Sequence, residues 1–193
     1  AETVLDLAED GEGNLWAGTH GSGLFRVRQR VFDLIGTEDG LAENNVLTVC
    51  ESANGSVWLG TDGGGLHRLA KDGTLTRYHT AQGLPREYVN AVLEDRHGAV
   101  WAGTWGAGLF RLVEGKFTPF GAEHSFPPRF IRSLYEDGDG NLWIGTLLSG
   151  VFRYDGRQLQ SYGVAEGLSH PDVRAILRDH TGAMWFGTGG GGL

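Results

Sequence analysis

The chain has 193 residues, of which 40% are hydrophobic and 21% charged, a composition typical of a globular domain. Its net charge of −8 argues against nucleic acid and anionic membranes as partners, because both select clustered Lys and Arg. No stretch approaches the ~18 consecutive apolar residues of a membrane span, and the first residues show no signal-peptide pattern.

A repeat runs through the whole chain. Five copies of Trp-x-Gly-Thr occur, and successive copies are 42, 43, 42 and 42 residues apart. A glycine stands three residues before each of these tryptophans, and six residues before each stands Asp, replaced once by Ser52. We call the tryptophans of the five copies the frame tryptophans: Trp16, Trp58, Trp101, Trp143 and Trp185. Such regular spacing indicates a repeat architecture.

The third unit shows the predicted elements in chain order. Apolar segments at 89–93, 100–102, 109–112 and 117–120 are each too short for a helix and are separated by turn residues. The frequent glycines, 33 in the chain against an average near ~7%, fit tight turns between short strands. Each unit is therefore predicted to form four antiparallel strands.

These units predict an all-β fold, the β-propeller. One four-stranded sheet of 42–43 residues cannot bury its faces alone, and radial stacking of such blades buries them. We expect residues 1–193 to form a single partial propeller of about 4.5 blades. The repeats are predicted at about 1–45, 46–88, 89–130, 131–172 and 173–193, the last truncated.

The repeated frame resembles the two-component regulator propeller repeat over essentially the whole chain. One full instance comprises Gly83-Leu84, Val89, Val92, Asp95, Gly98, Val100-Trp101, Gly103-Thr104 and Gly108-Leu109. The resemblance implies the sensory propeller of a hybrid histidine kinase or related regulator, lying in the periplasm or outside the cell. It further implies a ligand-binding domain that is not an enzyme and needs no cofactor.

Candidate binding residues come from positions that differ between otherwise similar units. Two sets of loops should emerge on one face, since alternate connections of a meander share an end; they contribute His20, Asp62, Tyr88, Trp105, Arg129, Phe130 and Asp172. A second group of candidate residues stands directly after the first apolar residue of the first strand in each unit. That strand should be innermost, so this position should approach the central channel; it holds Asn90, Arg132 and Arg174.

Other motifs are better explained as structure. The sequence at 137–141 begins like a calcium loop, but no carboxylate stands at its twelfth position. The glycine runs lack a following helix, and the histidines lack metal-ligand spacing, so we expect no metal site and no catalytic set.

Two other functions remain open, a propeller enzyme such as a lyase acting at the channel face and a scaffold for protein partners. The expected partners are a small molecule or oligosaccharide, together with the rest of a longer propeller or another chain that completes the ring.

Overall fold

A computed structural model of the chain describes residues 3–28, 31–85, 87–121 and 126–193. Within these ranges there are eighteen β-strands and three short 3-10 helices. The strands form four sheets of four antiparallel strands and one sheet of two. This arrangement confirms the predicted all-β propeller with four complete blades and a partial fifth.

Consecutive strands pair within each blade, as expected for a meander. Blade 1 contains β1 (Val4–Glu9), β2 (Leu15–Thr19), β3 (Gly23–Arg28) and β4 (Val31–Ile35). Blade 2 contains β5 (Val46–Glu51), β6 (Val57–Thr61), β7 (Leu66–Leu69) and β8 (Leu75–Tyr78). Blade 3 contains β9 (Val89–Glu94), β10 (Val100–Thr104), β11 (Gly108–Val113) and β12 (Lys116–Pro119). Blade 4 contains β13 (Ile131–Glu136), β14 (Leu142–Thr146), β15 (Val151–Tyr154) and β16 (Leu159–Tyr162), and blade 5 contains β17 (Val173–Arg178) and β18 (Met184–Thr188).

The 3-10 helices follow the fourth strands of blades 1, 2 and 4, at Thr37–Asp39, Thr80–Gln82 and Val164–Glu166. Each is followed by a glycine with positive φ, a conformation that side-chain-bearing residues rarely adopt. Among the described residues no helix is long and apolar enough to cross a membrane.

The first strands of neighbouring blades lie side by side, in the order β1, β5, β9, β13 and β17. They are therefore the innermost strands, as the sequence predicts. The hydrophobic core is divided among the gaps between blades. In one such gap Trp58 and Leu66 of blade 2 pack with Val92 and Val100 of blade 3. Each blade thus buries its apolar face against the next one.

The frame tryptophans all lie in second strands, and their indole groups are held by carboxylates. Where the turn between the first two strands begins with Asp, that residue accepts the indole N–H of its own blade; the pairs are Asp10–Trp16, Asp95–Trp101, Asp137–Trp143 and Asp179–Trp185. The same carboxylates accept backbone amides of the turn. The repeated Asp therefore closes the turn and fixes the tryptophan.

In blade 2 the indole N–H of the frame tryptophan has a different acceptor. Ser52 replaces the aspartate, and its hydroxyl is buried without a hydrogen-bond partner among the described residues. Trp58 instead donates its indole N–H to Glu94 of blade 3 over 2.8 Å. Glu94 also accepts the amide of Ala53 at 3.2 Å. A residue of the following blade thus takes over the role of the missing carboxylate.

Candidate functional site

The predicted site residues lie where the second strand of a blade ends and the first strand begins, an end of the blades that we call the loop face. In every blade the residue after the frame Thr donates its N–H to the residue before the first strand. These pairs are His20–Thr3, Asp62–Asn45, Trp105–Tyr88, Leu147–Phe130 and Gly189–Asp172. Isolated bridges then join neighbouring blades, Asp62 with Tyr88 and Trp105 with Phe130. The backbone therefore brings both loop sets to one end of the blades.

A β-bulge near the start of the first strand recurs in all five blades. The register with the second strand shifts at the second residue of each first strand. The residues at this position are Leu5, Leu47, Asn90, Arg132 and Arg174. A bulged residue is left out of the ladder, and its side chain can be re-aimed. Three of the five are the channel candidates from the sequence, Asn90, Arg132 and Arg174.

Blades 3, 4 and 5 gather five predicted residues into one group, which we call the arginine–aromatic cluster: Trp105, Phe130, Arg132, Asp172 and Arg174. The rings of Trp105 and Phe130 meet edge to face with centroids 4.9 Å apart. The guanidinium carbon of Arg132 lies 4.6 Å from the centroid of the Trp105 ring. This geometry is that of a cation–π contact and holds the arginine beside the aromatic pair.

Asp172 is the centre of charge in this cluster. Its side chain is only 6% exposed, and its two oxygens accept the Nε–H of Arg132 at 3.1 Å and of Arg174 at 2.9 Å. Its own N–H donates to Nδ1 of His170 at 3.1 Å. Two cations therefore share one buried anion, which leaves the group with a net positive charge. A buried carboxylate also orients both guanidinium groups.

Gly189 gives this ion pair its space. Other blades carry a side chain at the residue after the frame Thr, but here a Cβ would lie 2.2 Å from Asp172 Oδ2 and 2.6 Å from Arg174 Nε. The close approach of backbone and charged groups is possible because this position is glycine.

The remaining predicted residues lie on the same face without joining this cluster. His20 is exposed in blade 1, and Asp62 is bridged through its backbone to the half-exposed Tyr88. Asn90 occupies the bulge of blade 3. Arg129 has an exposed side chain, and its carbonyl accepts the amides of Gly106 and Gly108. Arg129 thus has a backbone role in holding the neighbouring turn.

Two features of the site were not foreseen. The bulge has no local sequence signal, although the repeat alignment shows the position changing from Leu to Asn to Arg while the residue before it stays apolar. The burial of Asp172 between two arginines could have been suspected, since Arg132 and Arg174 occupy the bulge position in consecutive blades. Among the described residues, no three His, Cys, Asp or Glu side chains are placed to hold a metal ion.

Comparison with known sequences agrees with the repeat. The sequence model of the family described as "two component regulator propeller" matches residues 1–21, 40–63, 83–106, 125–147 and 167–190. No curated protein sequence is similar enough to the chain to count as a match.

Solved structures share the fold at low sequence identity. An extracellular domain assigned to a hybrid two component system of B. thetaiotaomicron superposes with a TM-score of 0.81 at 24% identity, covering 96% of this chain and 26% of that one. An extracellular domain assigned to a one component system of the same organism gives 0.78 at 19% identity, covering 97% and 29%. Virginiamycin B lyase from Staphylococcus aureus gives 0.76 at 15% identity, covering 96% and 66%. The chain thus spans about a quarter of the length of the first of these proteins.

Proposed function

This chain belongs to the two component regulator propeller family, and on that premise we propose that it is a non-catalytic ligand-sensing module of a bacterial signal-transduction regulator. The observation that supports this is the arginine–aromatic cluster on the loop face, because it combines accessible cations with aromatic surface. Binding sites of this kind pair apolar and aromatic walls with a few oriented polar groups. In this proposal ligand binding would favour one arrangement of the regulator's domains over another.

The chemistry of the cluster favours a small molecule or oligosaccharide that bears an acidic group. Arg132 and Arg174 each use Nε on Asp172, and their terminal nitrogens make no hydrogen bond to the described residues. A carboxylate or sulfate is the natural acceptor for two adjacent guanidinium groups. The neighbouring rings of Trp105 and Phe130, which meet edge to face, offer aromatic surface for the body of the ligand.

A location in the periplasm or outside the cell is part of the same proposal. It rests on the fold shared with extracellular domains of two component systems.

A further part is that other blades complete the ring. Leu7 in blade 1 is 57% exposed, and Leu177 and Trp185 in blade 5 are 59% and 45% exposed. The equivalent Trp101 is 4% exposed because the next blade and Phe120 of its own blade cover it. The open faces of blades 1 and 5 could thus pack against further blades in the way that the blades of this chain pack against one another. Such blades would come from a longer propeller or from another chain. Light scattering tests this point, since a stable monomer of 20.8 kDa with a sharp cooperative melt would contradict it.

Calorimetric titration with matched acidic and neutral sugars tests the ligand class. Trigalacturonate should bind more tightly than galactotriose, which has the same ring without the carboxylate. Arg174→Ala should weaken the acidic ligand by roughly tenfold to a hundredfold, the value of a lost charge-assisted hydrogen bond.

Arg157→Ala is the matched control, because Arg157 is exposed on blade 4 in the turn at the opposite end from the loop face. Equal affinity of both sugars, or equal loss in both variants, would refute the proposed site. Turnover of the sugar without saturable binding would support the enzyme alternative instead.

A further inference from the structure

The third strand of blade 2 carries a histidine at a position where the other complete blades carry phenylalanine. His67 of β7 stands directly after the leucine of the repeated Gly-Leu pair, and the equivalent residues are Phe25, Phe110 and Phe152. None of the surface of His67 is exposed. A buried imidazole has two ring nitrogens that need hydrogen-bond partners, whereas a phenyl ring has none. The replacement therefore brings a polar, titratable group into the interior of the blade.

One of the two ring nitrogens of His67 has a partner. Nε2 accepts the backbone N–H of Ala42 at 3.2 Å, and Ala42 lies in the loop that leads from blade 1 to blade 2. Because Nε2 is the acceptor, the proton of the neutral ring lies on Nδ1. Nδ1 is buried and has no hydrogen-bond partner among the described residues. A single hydrogen bond from the loop thus satisfies the neutral form of this imidazole.

The loop residue and the strand residue change together along the chain. The residues equivalent to Ala42 in the loops before blades 3 and 4 are Pro85 and Pro127. Proline has no backbone N–H, so these loops have no donor to satisfy where the strand carries Phe110 or Phe152. In blade 2 the loop has an amide donor and the strand has an imidazole acceptor. The contact is therefore a matched pair that replaces the proline and phenylalanine of the next two blades.

The segment that His67 holds, residues 36–45, joins two blades on the loop face. The carbonyl of Asn44 accepts the N–H of Gly23 in blade 1 at 2.8 Å. The carbonyl of Asn45 accepts the N–H of Asp62 in blade 2 at 2.9 Å. The bond from Ala42 to His67 fastens this segment to the interior of blade 2. Loss of that bond would loosen the connection between the turns of the two blades.

The charged groups nearest to His67 belong to blade 2 and its loops. Arg77 of β8 is its partner across the sheet and forms a salt bridge with Glu87 at 2.9 Å. Glu43 lies in the held segment and accepts two of its amides. His79 stands directly after β8. Burial and the positive charge of Arg77 lower the pKa of His67 to about 4.

Blade 1 presents mainly apolar side chains to the gap that His67 borders. Leu24 and Ile35 pack there in one core cluster. The salt bridge between Arg26 and Asp33 lies two residues further along the same strands. Asp6, at the inner end of the gap, accepts an amide of β5 at 2.7 Å, and burial raises its pKa. Asp6 therefore takes up its proton in the packed state, so its titration does not favour separation of the blades.

We propose that the contact between His67 and Ala42 is an acid-sensitive switch that releases residues 36–45 from blade 2 when the imidazole becomes charged. A proton from solvent binds Nε2, so the N–H of Ala42 loses its acceptor and faces a second N–H. The charged ring would also lie buried beside Arg77, and opening of the segment exposes it to water. The loop face at blades 1 and 2 would thereby respond to acid.

The direction and the pH range follow from the two pKa values of His67. Its pKa is the ordinary 6.5 when the segment is open and about 4 when the segment is closed. As the pH falls, the open form takes up the proton first, so the preference for the closed form is complete above 6.5 and declines between 6.5 and 4. The equilibrium constant for opening should rise by up to roughly tenfold per pH unit in this range.

Amide hydrogen exchange followed by NMR between pH 6.5 and 4 tests the switch. The reporter is Leu41, whose N–H donates to Gly36 at 3.1 Å within the segment. Its protection, corrected for the intrinsic exchange rate, should fall by up to roughly tenfold per pH unit. Leu84 is the internal control, because its N–H makes the same bond to His79 in the next loop, at 3.2 Å. The protection of Leu84 should stay constant, and the ring of His67 should titrate near 4 in the same samples.

His67→Phe combined with Ala42→Pro installs the pair found in the next two blades and should make the protection of Leu41 independent of pH. His97→Gln, at an exposed histidine, is the matched control and should keep the decline. Arg174→Ala should also keep it, so this switch and the acidic-ligand site can fail separately.

Three results would each overturn the proposal. The ring of His67 could titrate at 6.5, or the protection of Leu41 could stay constant or fall no more than that of Leu84. The third is a folded double variant that keeps the decline of the unmodified protein. If the double variant does not fold, the first two measurements on the unmodified protein decide the question.

Discussion

Blades 3 and 5 present the same tryptophan in two different surroundings. Trp101 donates its indole N–H to Asp95 at 2.9 Å, and Trp185 donates to Asp179 at 2.7 Å. The bond from the indole to the turn aspartate is thus the same in the two blades. The exposed fractions differ widely, 4% for Trp101 and 45% for Trp185, because blade 4 and side chains that follow the second strand of its own blade cover the former. The hydrogen bond needs only the first two strands of a blade, whereas burial needs the complete blade and its neighbour.

The ionisation of the aspartates that hold the frame tryptophans likewise depends on the turn and not on the neighbouring blade. Burial alone would raise the pKa of Asp137, but hydrogen bonds from Trp143, Asn141 and the turn amides hold that pKa at about 2. In blade 5 the pKa of Asp179 is also about 2, through hydrogen bonds from Thr181, Trp185 and the turn amides. The turn therefore stabilises its carboxylate whether or not a further blade covers it.

Truncating the two tryptophans measures what a complete blade and its neighbour contribute to the burial of this side chain. Trp101→Ala should destabilise the protein by roughly 3–5 kcal/mol, the range for a large buried aromatic. Trp185→Ala loses the same hydrogen bond but less buried surface, so its cost should be about half of that or less. Urea denaturation followed by circular dichroism gives both values. Equal costs would mean that burial of the indole contributes little.

Blade 2 tests whether the indole acceptor can come from either blade. Glu94→Ala leaves the indole N–H of Trp58 and the amide of Ala53 without their acceptor and should cost about 1.5–3 kcal/mol. Adding Ser52→Asp should recover part of this, because it restores the acceptor used by the other blades. Glu38→Ala, at an exposed position, is the control. A double variant no more stable than Glu94→Ala would show that the two acceptors are not equivalent.

Acid sensitivity gives a finer test of the turn. The folded-state pKa values of Asp137 and Asp179 lie at about 2, below the usual 3.8, so the unfolded chain takes up protons first. The stabilising contribution of these two carboxylates is present above pH 3.8 and is lost as the pH falls through 3.8 toward 2. The melting temperature should therefore fall over this window. Asp137→Asn should flatten the fall, and an unchanged slope would contradict the role given to Asp137.

The smallest effect is expected at the bulge. Asn90 is bulged out of the ladder and partly exposed, so Asn90→Leu should change stability by no more than about 0.5 kcal/mol. The next residue, Ala91, is 4% exposed and faces Gly103, so Ala91→Leu should overpack the gap at a cost of about 1–3 kcal/mol. Thermal melts of the two variants separate these outcomes. A large loss in Asn90→Leu would place its side chain in the packed core.

The fold was predictable because its determinants recur in register. Trp16 and its four equivalents mark second strands, and the alternation of apolar runs with glycine turns leaves room for few other folds. For the arginine–aromatic cluster the sequence predicted only that its residues lie on one face or near the channel, and not that they contact one another. Their mutual distances depend on how neighbouring blades are rotated, which no single repeat encodes.

Contacts between blades were the part that sequence reasoning missed. Glu51, Glu94 and Glu136 end successive first strands, and each accepts a backbone amide from the turn of the preceding blade. The recurrence of Glu was visible, but its partner lies about forty positions away in the chain and is defined only by stacking.

The bulge at the start of each first strand has a consequence for how such a protein can change. Duplicating a blade copies both its architecture and one side chain that the ladder does not need. That side chain can then mutate with little effect on folding, so a ring of copies acquires different chemistry around its axis one substitution at a time. The series Leu5, Leu47, Asn90, Arg132 and Arg174 runs from apolar to cationic around the arc. New recognition properties would thus arise without any need to re-optimise the core.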